Sequence, residues 1–270
     1  MEKRDNISEI KHVKIKYRQL VEACRPFMAA DNAGSLKDAF RILLSSYKNH
    51  LKPDSEPYFL HAVDVASIVA TEMQLGMTSV LAALLHDVDM QTIRKEFIGR
   101  NIKLTDVGTI VQSLNQIGSL PIERLPDNAE NFISLLLSIS GDVRAVLIKL
   151  ADRLHRMRTI SLLSPEKQAA IALETSNLYA PLAHRLGLYK INSELEELSL
   201  HYTDPDSYRQ LSDKIQQSLV DNKDFISGFL EPVKAELTRL GLDYTIKNRL
   251  KSVSSVFNKI RKQQVTFEEV

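Results

Sequence analysis

Cysteine is almost missing: Cys24 alone in 270 residues excludes an internal disulfide framework and fits a reducing cytosol. A charge excess of either sign is missing too. With 35 basic and 34 acidic residues the formal net charge is +1, so no global field argues for nucleic acid, and partners have to be read from sites. The longest uninterrupted apolar run, Val80 to Leu85, is far below the roughly 20 residues of a membrane span. The charged start Met1-Glu2-Lys3-Arg4-Asp5 does not look like an export signal, so a soluble cytoplasmic protein is expected, with no membrane contact. Internal repeats and low-complexity tracts are absent, and a 44% hydrophobic composition suffices for a full core, which excludes disorder.

Strand-like alternation is scarce as well. Up to about residue 200, apolar residues recur at helical spacing, as in Leu60, Val63, Ala66, Ile68 and Val69, or Leu147, Leu150, Leu154 and Met157. Breaks are expected at Lys52-Pro53-Asp54-Ser55, Gly76, Gly118 with Pro121 and Pro126, Gly141, Ser164-Pro165 and Gly187. Residues 1–200 therefore read as an all-α array of short helices with one longer loop around 117–128. Past Asp204-Pro205 a polar helix is expected from Tyr208 to Phe229, and a second from Glu231 to Leu240, ending at Gly241. The stretch from Leu242 to Lys247 reads as one strand, and a helix follows from Ser252 to Lys262. A lone strand cannot satisfy its own edges, so residues 201–270 read as linker helices and the truncated opening of an α/β domain.

The chemistry-bearing pattern is His86-Asp87 at the end of the apolar helix expected over Thr78 to Leu85. His61 lies upstream, near the start of the preceding helix, and Asp152 downstream in Lys149-Leu150-Ala151-Asp152-Arg153. Two imidazoles and two carboxylates suit a borderline divalent cation such as manganese, iron or zinc. Neighbours on a helix point about 100° apart, so His86 and Asp87 converge only at a helix end, which the poorly apolar Val88 to Thr92 would supply. A single helical histidine is ordinarily a core or surface residue, and His12, His50 and His201 belong to that class. The joint pattern points to a metal, with structural polar pairing as the alternative. A metal there lowers the pKa of a bound water to roughly 7 and neutralises phosphoryl charge, which makes phosphoester hydrolysis the natural reaction.

Five segments in order carry a resemblance: Glu56-Pro57-Tyr58-Phe59-Leu60-His61, Ala82 to Val88, Ala129-Glu130-Asn131-Phe132, Leu147 to His155, and Tyr179 to Gly187. From about residue 30 onward the chain resembles the RelA/SpoT homologue family. That resemblance implies an N-terminal HD domain that removes the 3′-pyrophosphate of guanosine tetra- and pentaphosphate with manganese, His61, His86, Asp87 and Asp152 being the ligands. Asn248-Arg249-Leu250-Lys251 resembles the segment that opens the family's synthetase domain, which makes Arg249 and Lys251 candidates for nucleotide phosphates, with surface charge on a helix start as the alternative. The implied partners are guanosine nucleotides and the remainder of a synthetase domain. Phe257 alone among the basic residues 247–262 makes no stacking platform for nucleic acid.

The departures from the family pattern matter as much. Where active family hydrolases carry a Glu-Asp pair after the HD motif, this chain reads His86-Asp87-Val88-Asp89-Met90-Gln91-Thr92, and neither a thioether nor a neutral amide accepts a proton at neutral pH. Asp89 is the one nearby carboxylate able to stand in. The family's substrate-holding Asn is Arg156 here, and its arginine before Glu-Pro-Tyr is Lys52, which keeps charge but loses bidentate geometry. Thr159 matches a family nucleotide contact. Three readings stay open: a domain with weak or lost hydrolysis that regulates an adjoining synthetase, a working manganese-dependent 3′-pyrophosphohydrolase in which Asp89 or another carboxylate compensates, and a non-catalytic helical interaction module.

Overall fold

Two helices, α3 (Tyr58–Thr71) and α4 (Met77–Leu84), are mostly apolar, α3 keeping one narrow polar stripe through His61, Asp64, Ser67 and Thr71. Helices of that kind belong in a core, and Ala62, Val63, Val65, Ala66 and Val69 of α3, with Val80, Ala82, Ala83 and Leu84 of α4, are fully enclosed. The computed structural model of the chain describes residues 2–29, 32–47, 58–97, 104–119, 129–246 and 250–270. Around the central pair stand α1 (Glu2–Cys24), packed on α3, and α2 (Asn32–Tyr47), packed on both α3 and α4. Helix α5 (Met90–Phe97) lies against α6 (Leu104–Gly118), and α6 continues the layer to α7 (Ala129–Ser140). Helix α8 (Val143–Thr159) crosses α3, α4, α6 and α7. Side chains such as Leu20, Leu36, Ile42, Leu85 and Phe132 fill the space between, each fully buried and each worth about 1.5–3 kcal/mol over exposure.

The chain then passes through α9 (Pro165–Glu174), a π-helical turn at Thr175–Tyr179, and α10 (Ala180–Arg185). Pro181 follows the wide turn and has no N–H to donate to the regular ladder. Across that turn Arg153 reaches from α8, donating to both Glu174 oxygens at 2.9 and 2.8 Å and stacking 3.9 Å above the Tyr179 ring. Gly187 ends α10 with φ +76°, where its N–H reaches the His184 carbonyl and the next N–H reaches that of Ala183, the left-handed stop that glycine alone adopts cheaply. Helix α11 (Tyr189–Thr203) closes this half by packing on α8, α9 and α10. Arg158 of α8 clamps two neighbours, Glu72 just past α3 and Glu194 on α11, at 2.6–2.9 Å.

The all-α reading of the first 200 residues holds, but the α/β reading of the remainder does not. Among the described residues there is no strand. Residues 242–246 follow α13 (Lys223–Arg239) without pairing, and Tyr244 leans back on that helix, its hydroxyl donating to the Lys234 carbonyl at 3.3 Å. Alternation of apolar and polar side chains prepares a strand, but a strand also needs a second edge for its N–H and C=O groups. Helix α12 (Pro205–Asp221) stops earlier than the sequence suggests, at Asn222, whose backbone N–H and side-chain amide both donate to the Ser218 carbonyl, at 3.0 and 2.8 Å. Helix α14 (Val253–Gln263) returns to α11 and α12, burying Val253, Ser254 and Val256. Glu197 of α11 seats on its N-terminus, accepting the N–H of Val253 at 3.3 Å and of Ser254 at 2.9 Å, the end of a helix that favours an anion.

Candidate metal centre

The turn after α4 positions the first ligand. Leu85 leaves helical geometry at φ −107°, ψ 7°, and its N–H is shared between the carbonyls of Leu81 and Ala82. The helix therefore ends before the His-Asp pair rather than over Val88 to Thr92, and a new helix starts at Met90. In that turn His86 Nδ1 lies 2.7 Å from the Ala83 carbonyl and donates to it, which fixes the ring and leaves Nε2 with the lone pair. His61 sits in the first turn of α3, and Asp152 in the middle of α8, buried among Leu150, Ala151 and Leu154. One ligand atom from each of His61, His86 and Asp152 lies within 4.8 Å of the others.

The electrostatics of Asp152 test whether a cation fits. Burial pushes its carboxyl up, but the His61 imidazole and the Lys149 ammonium, 2.5 Å from Oδ2, outweigh burial and hold it well below the ordinary carboxylate range. The other oxygen, Oδ1, is 3.2 Å from His61 Nε2, yet it is buried without an aligned hydrogen bond. No aligned hydrogen bond satisfies that buried anionic oxygen, and a divalent cation among the three side chains would. The donor set, two imidazoles and a carboxylate, is the right chemistry for a borderline ion.

Asp87, the fourth ligand expected from sequence, stays outside this trio. Its side chain is 40% exposed and its Oδ1 lies 3.4 Å from His86 Nε2, at the rim. A cleft of about 360 Å³ opens beside the cluster, lined by His86, Asp87, Asn115, Ser119, Lys149 and Asp152 among others. Asn115 and Ser119 also line an adjoining groove with Met90, Gln91 and Arg94. Met90 and Gln91 thus line a groove with no carboxylate among its lining residues and one cation, Arg94.

Asp89 is committed elsewhere. Its Oδ2 accepts from the backbone N–H of Gln91 and of Thr92, each at 3.0 Å, and its carbonyl accepts from Ile93, so it caps α5. Arg156 is exposed, and the Thr159 hydroxyl donates back to the His155 carbonyl at 3.0 Å. Lys251 lies far along the chain and donates to the Val270 carbonyl at 3.0 Å. Lys52 and Arg249 lie outside the described residues.

Sequence reasoning missed three residues behind His61. Its Nδ1 lies 2.9 Å from His155 Nδ1, His155 Nε2 lies 3.6 Å from Asp64, and Asp64 accepts from Lys16 Nζ at 2.6 Å. The spacing held a signal: Asp64 follows His61 by three residues on α3, and His155 follows Asp152 by three on α8, so each pair shares a helix face.

Residues 39–189 match the HD domain family. Among curated proteins, the GTP pyrophosphokinase rsh of Brucella melitensis is 34% identical over 259 residues, which cover 93% of this chain and 34% of that protein. The guanosine-3′,5′-bis(diphosphate) 3′-pyrophosphohydrolase of Vibrio cholerae is 32% identical over 94% of this chain and 36% of its own length. The bifunctional (p)ppGpp synthase/hydrolase SpoT of Escherichia coli is 31% identical, with 94% and 36% covered. The chain spans about a third of the length of these relatives. No helix among the described residues is long and apolar enough to cross a membrane.

Proposed function

The chain belongs to the HD domain family, in its RelA/SpoT homologue branch, and we propose that it is the hydrolase-like region of a guanosine alarmone enzyme, a region that binds nucleotide and a divalent ion but hydrolyses weakly or not at all. In this reading His61, His86 and Asp152 hold manganese, with Asp87 at the rim. The ion, when bound, lowers the pKa of a water toward about 7 and offsets phosphoryl charge. Lys149 keeps Asp152 ionised and lends positive charge to the cleft where a pyrophosphate would lie. Arg156, with Lys52, adds charge for phosphate, and Thr159 borders the same helix end.

The observation that carries the reading is the contrast between two adjoining grooves: a buried carboxylate oxygen without an aligned hydrogen bond on one, and Met90 and Gln91 where a base is needed on the other. Losing a positioned general base costs roughly 10²- to 10⁴-fold. Residues 1–200 would then form the nucleotide-responsive unit and 201–270 the linker to a synthetase region, where Arg249 and Lys251 would face nucleotide. Occupancy would bias that region through the seat of α14 on α11. Guanosine tetraphosphate is the probe, with manganese, in a calorimetric titration run beside a turnover assay. Tight binding with slow turnover is expected; turnover at rates of at least 1 per second would overturn the regulatory reading, and no binding would overturn the nucleotide role.

A further inference from the structure

The two ring nitrogens of His61 have opposite duties. Nε2 faces Asp152 within the cluster, while Nδ1 lies 2.9 Å from His155 Nδ1. Two ring nitrogens at that distance share one hydrogen, so one donates and the other accepts. Charges further back decide which. Lys16, an ammonium on α1, can only donate, and it gives a hydrogen bond of 2.6 Å to Asp64 Oδ1. Asp64, an ionised carboxylate, can only accept, and its Oδ2 stands 3.6 Å from His155 Nε2, an ion-pair distance somewhat longer than a direct hydrogen bond. Asp64 therefore favours the hydrogen on His155 Nε2. His155 Nδ1 is left as the acceptor, and His61 Nδ1 must supply the hydrogen between the rings.

His61 Nε2 then carries the bare lone pair a cation requires. The opposite polarity would put a proton on Nε2, aimed at Asp152 Oδ1, and would close the cluster with a hydrogen bond. Asp152 Oδ1, 3.2 Å from Nε2, draws a hydrogen toward that second polarity, but the contact is not aligned as a hydrogen bond, and the chain of Lys16, Asp64 and His155 opposes it. We infer that Lys16, Asp64 and His155 form a positioning relay that holds His61 with Nε2 bare, so that α1, through Lys16, sets the divalent-cation affinity of the centre. The inference rests on the metal reading given above, and it makes His155 a positioning residue, acting through His61.

The test uses the whole chain with manganese alone as the probe, read by calorimetry, together with nitrogen NMR of the His61 ring in the metal-free protein. His155→Leu should weaken manganese roughly 10- to 100-fold, the usual cost of removing a group behind a ligand, and should shift the His61 ring signals. His155→Gln should recover most of the affinity, because its amide oxygen can accept from His61 and its NH₂ can face Asp64. Asp64→Asn, which keeps size and loses charge, should weaken the ion as well and decides the matter if His155→Leu does not fold. Unchanged affinity and unchanged ring signals in these variants would overturn the relay, as would a wild-type His61 protonated on Nε2. A wild-type protein that shows Nε2 bare yet binds no manganese would uphold the relay and defeat the metal reading instead.

Discussion

On one side of the cluster, His61 is backed by His155, Asp64 and Lys16, each within reach of the next. On the other side lies α5, where Met90 is half-buried, Gln91 and Arg94 are exposed, and Asp89 is turned to the backbone of its own helix. On the proposed reading, the difference teaches that holding an ion and accepting a proton are separable tasks with different structural stakes. Removing a partner from the buried side leaves a polar group stranded, at about 1–3 kcal/mol. Changing an exposed residue of α5 usually costs less than about 0.5 kcal/mol. Folding thus constrains the ligand side tightly and the proton-accepting side hardly at all.

The largest expected effect breaks the buried side outright. Asp152→Ala removes the one carboxylate of the trio, and manganese affinity should fall by more than the roughly 100-fold that bounds the loss of a group behind a ligand. Calorimetry on the folded variant reads it directly. Affinity kept within about tenfold would mean that the ion sits elsewhere.

Next comes repair of the other side. Met90→Glu with Gln91→Asp and Arg156→Asn should raise guanosine tetraphosphate hydrolysis with manganese by roughly 10²- to 10⁴-fold, the range a positioned base supplies. Met90 and Gln91 lie on the groove that shares Asn115 and Ser119 with the cleft, so new carboxylates would have room there. No gain in a folded, metal-binding variant would show that the missing carboxylates are not what limits turnover.

How much of this the sequence disclosed follows from the physics of each part. The helical core was legible because α3 and α4 are mostly apolar, and burial needs no partner of specified identity. His61, His86 and Asp152 were legible as a joint pattern, and the structure brings those three together. The relay was not read from the sequence, because its contacts span 48 and 94 residues and its members look individually like ordinary helix polarity. The strand expected from Leu242 to Lys247 failed for the complementary reason: alternation describes one chain's side chains, whereas a sheet is a relation between two. Its last residue, Lys247, lies outside the described residues. The early stop of α12 falls at Asn222, a residue type whose side chain bonds nearby backbone, here the Ser218 carbonyl.

A smaller effect sharpens the comparison through the frame that holds the buried side. Arg158 ties α8, which carries Asp152 and His155, to Glu72 beside α3 and to Glu194 on α11. Its groups are about one-third exposed, so each pair is worth no more than about 0.2–1 kcal/mol. Arg158→Leu should therefore lower stability by about 1 kcal/mol, seen as a lower Tm, and the deficit should shrink as salt screens the pairs. A deficit that does not change between low and high salt would assign it to packing of the arginine stem.

The smallest expected effect decides what Asp89 is. As the cap of α5 it offers one oxygen to two backbone N–H groups at 3.0 Å, a duty that an Asn side chain performs about as well as Asp. As a surrogate base it would need its charge. Asp89→Asn removes the charge and keeps the cap, whereas Asp89→Ala removes both and should cost about 1 kcal/mol. If the carboxylate serves only the helix, Asp89→Asn leaves stability within a few tenths of a kcal/mol and leaves residual turnover of guanosine tetraphosphate as it was. Turnover that vanishes in Asp89→Asn while Tm holds would place a proton acceptor on the α5 side after all, and the contrast between the two sides of the cluster would then be one of strength rather than of kind.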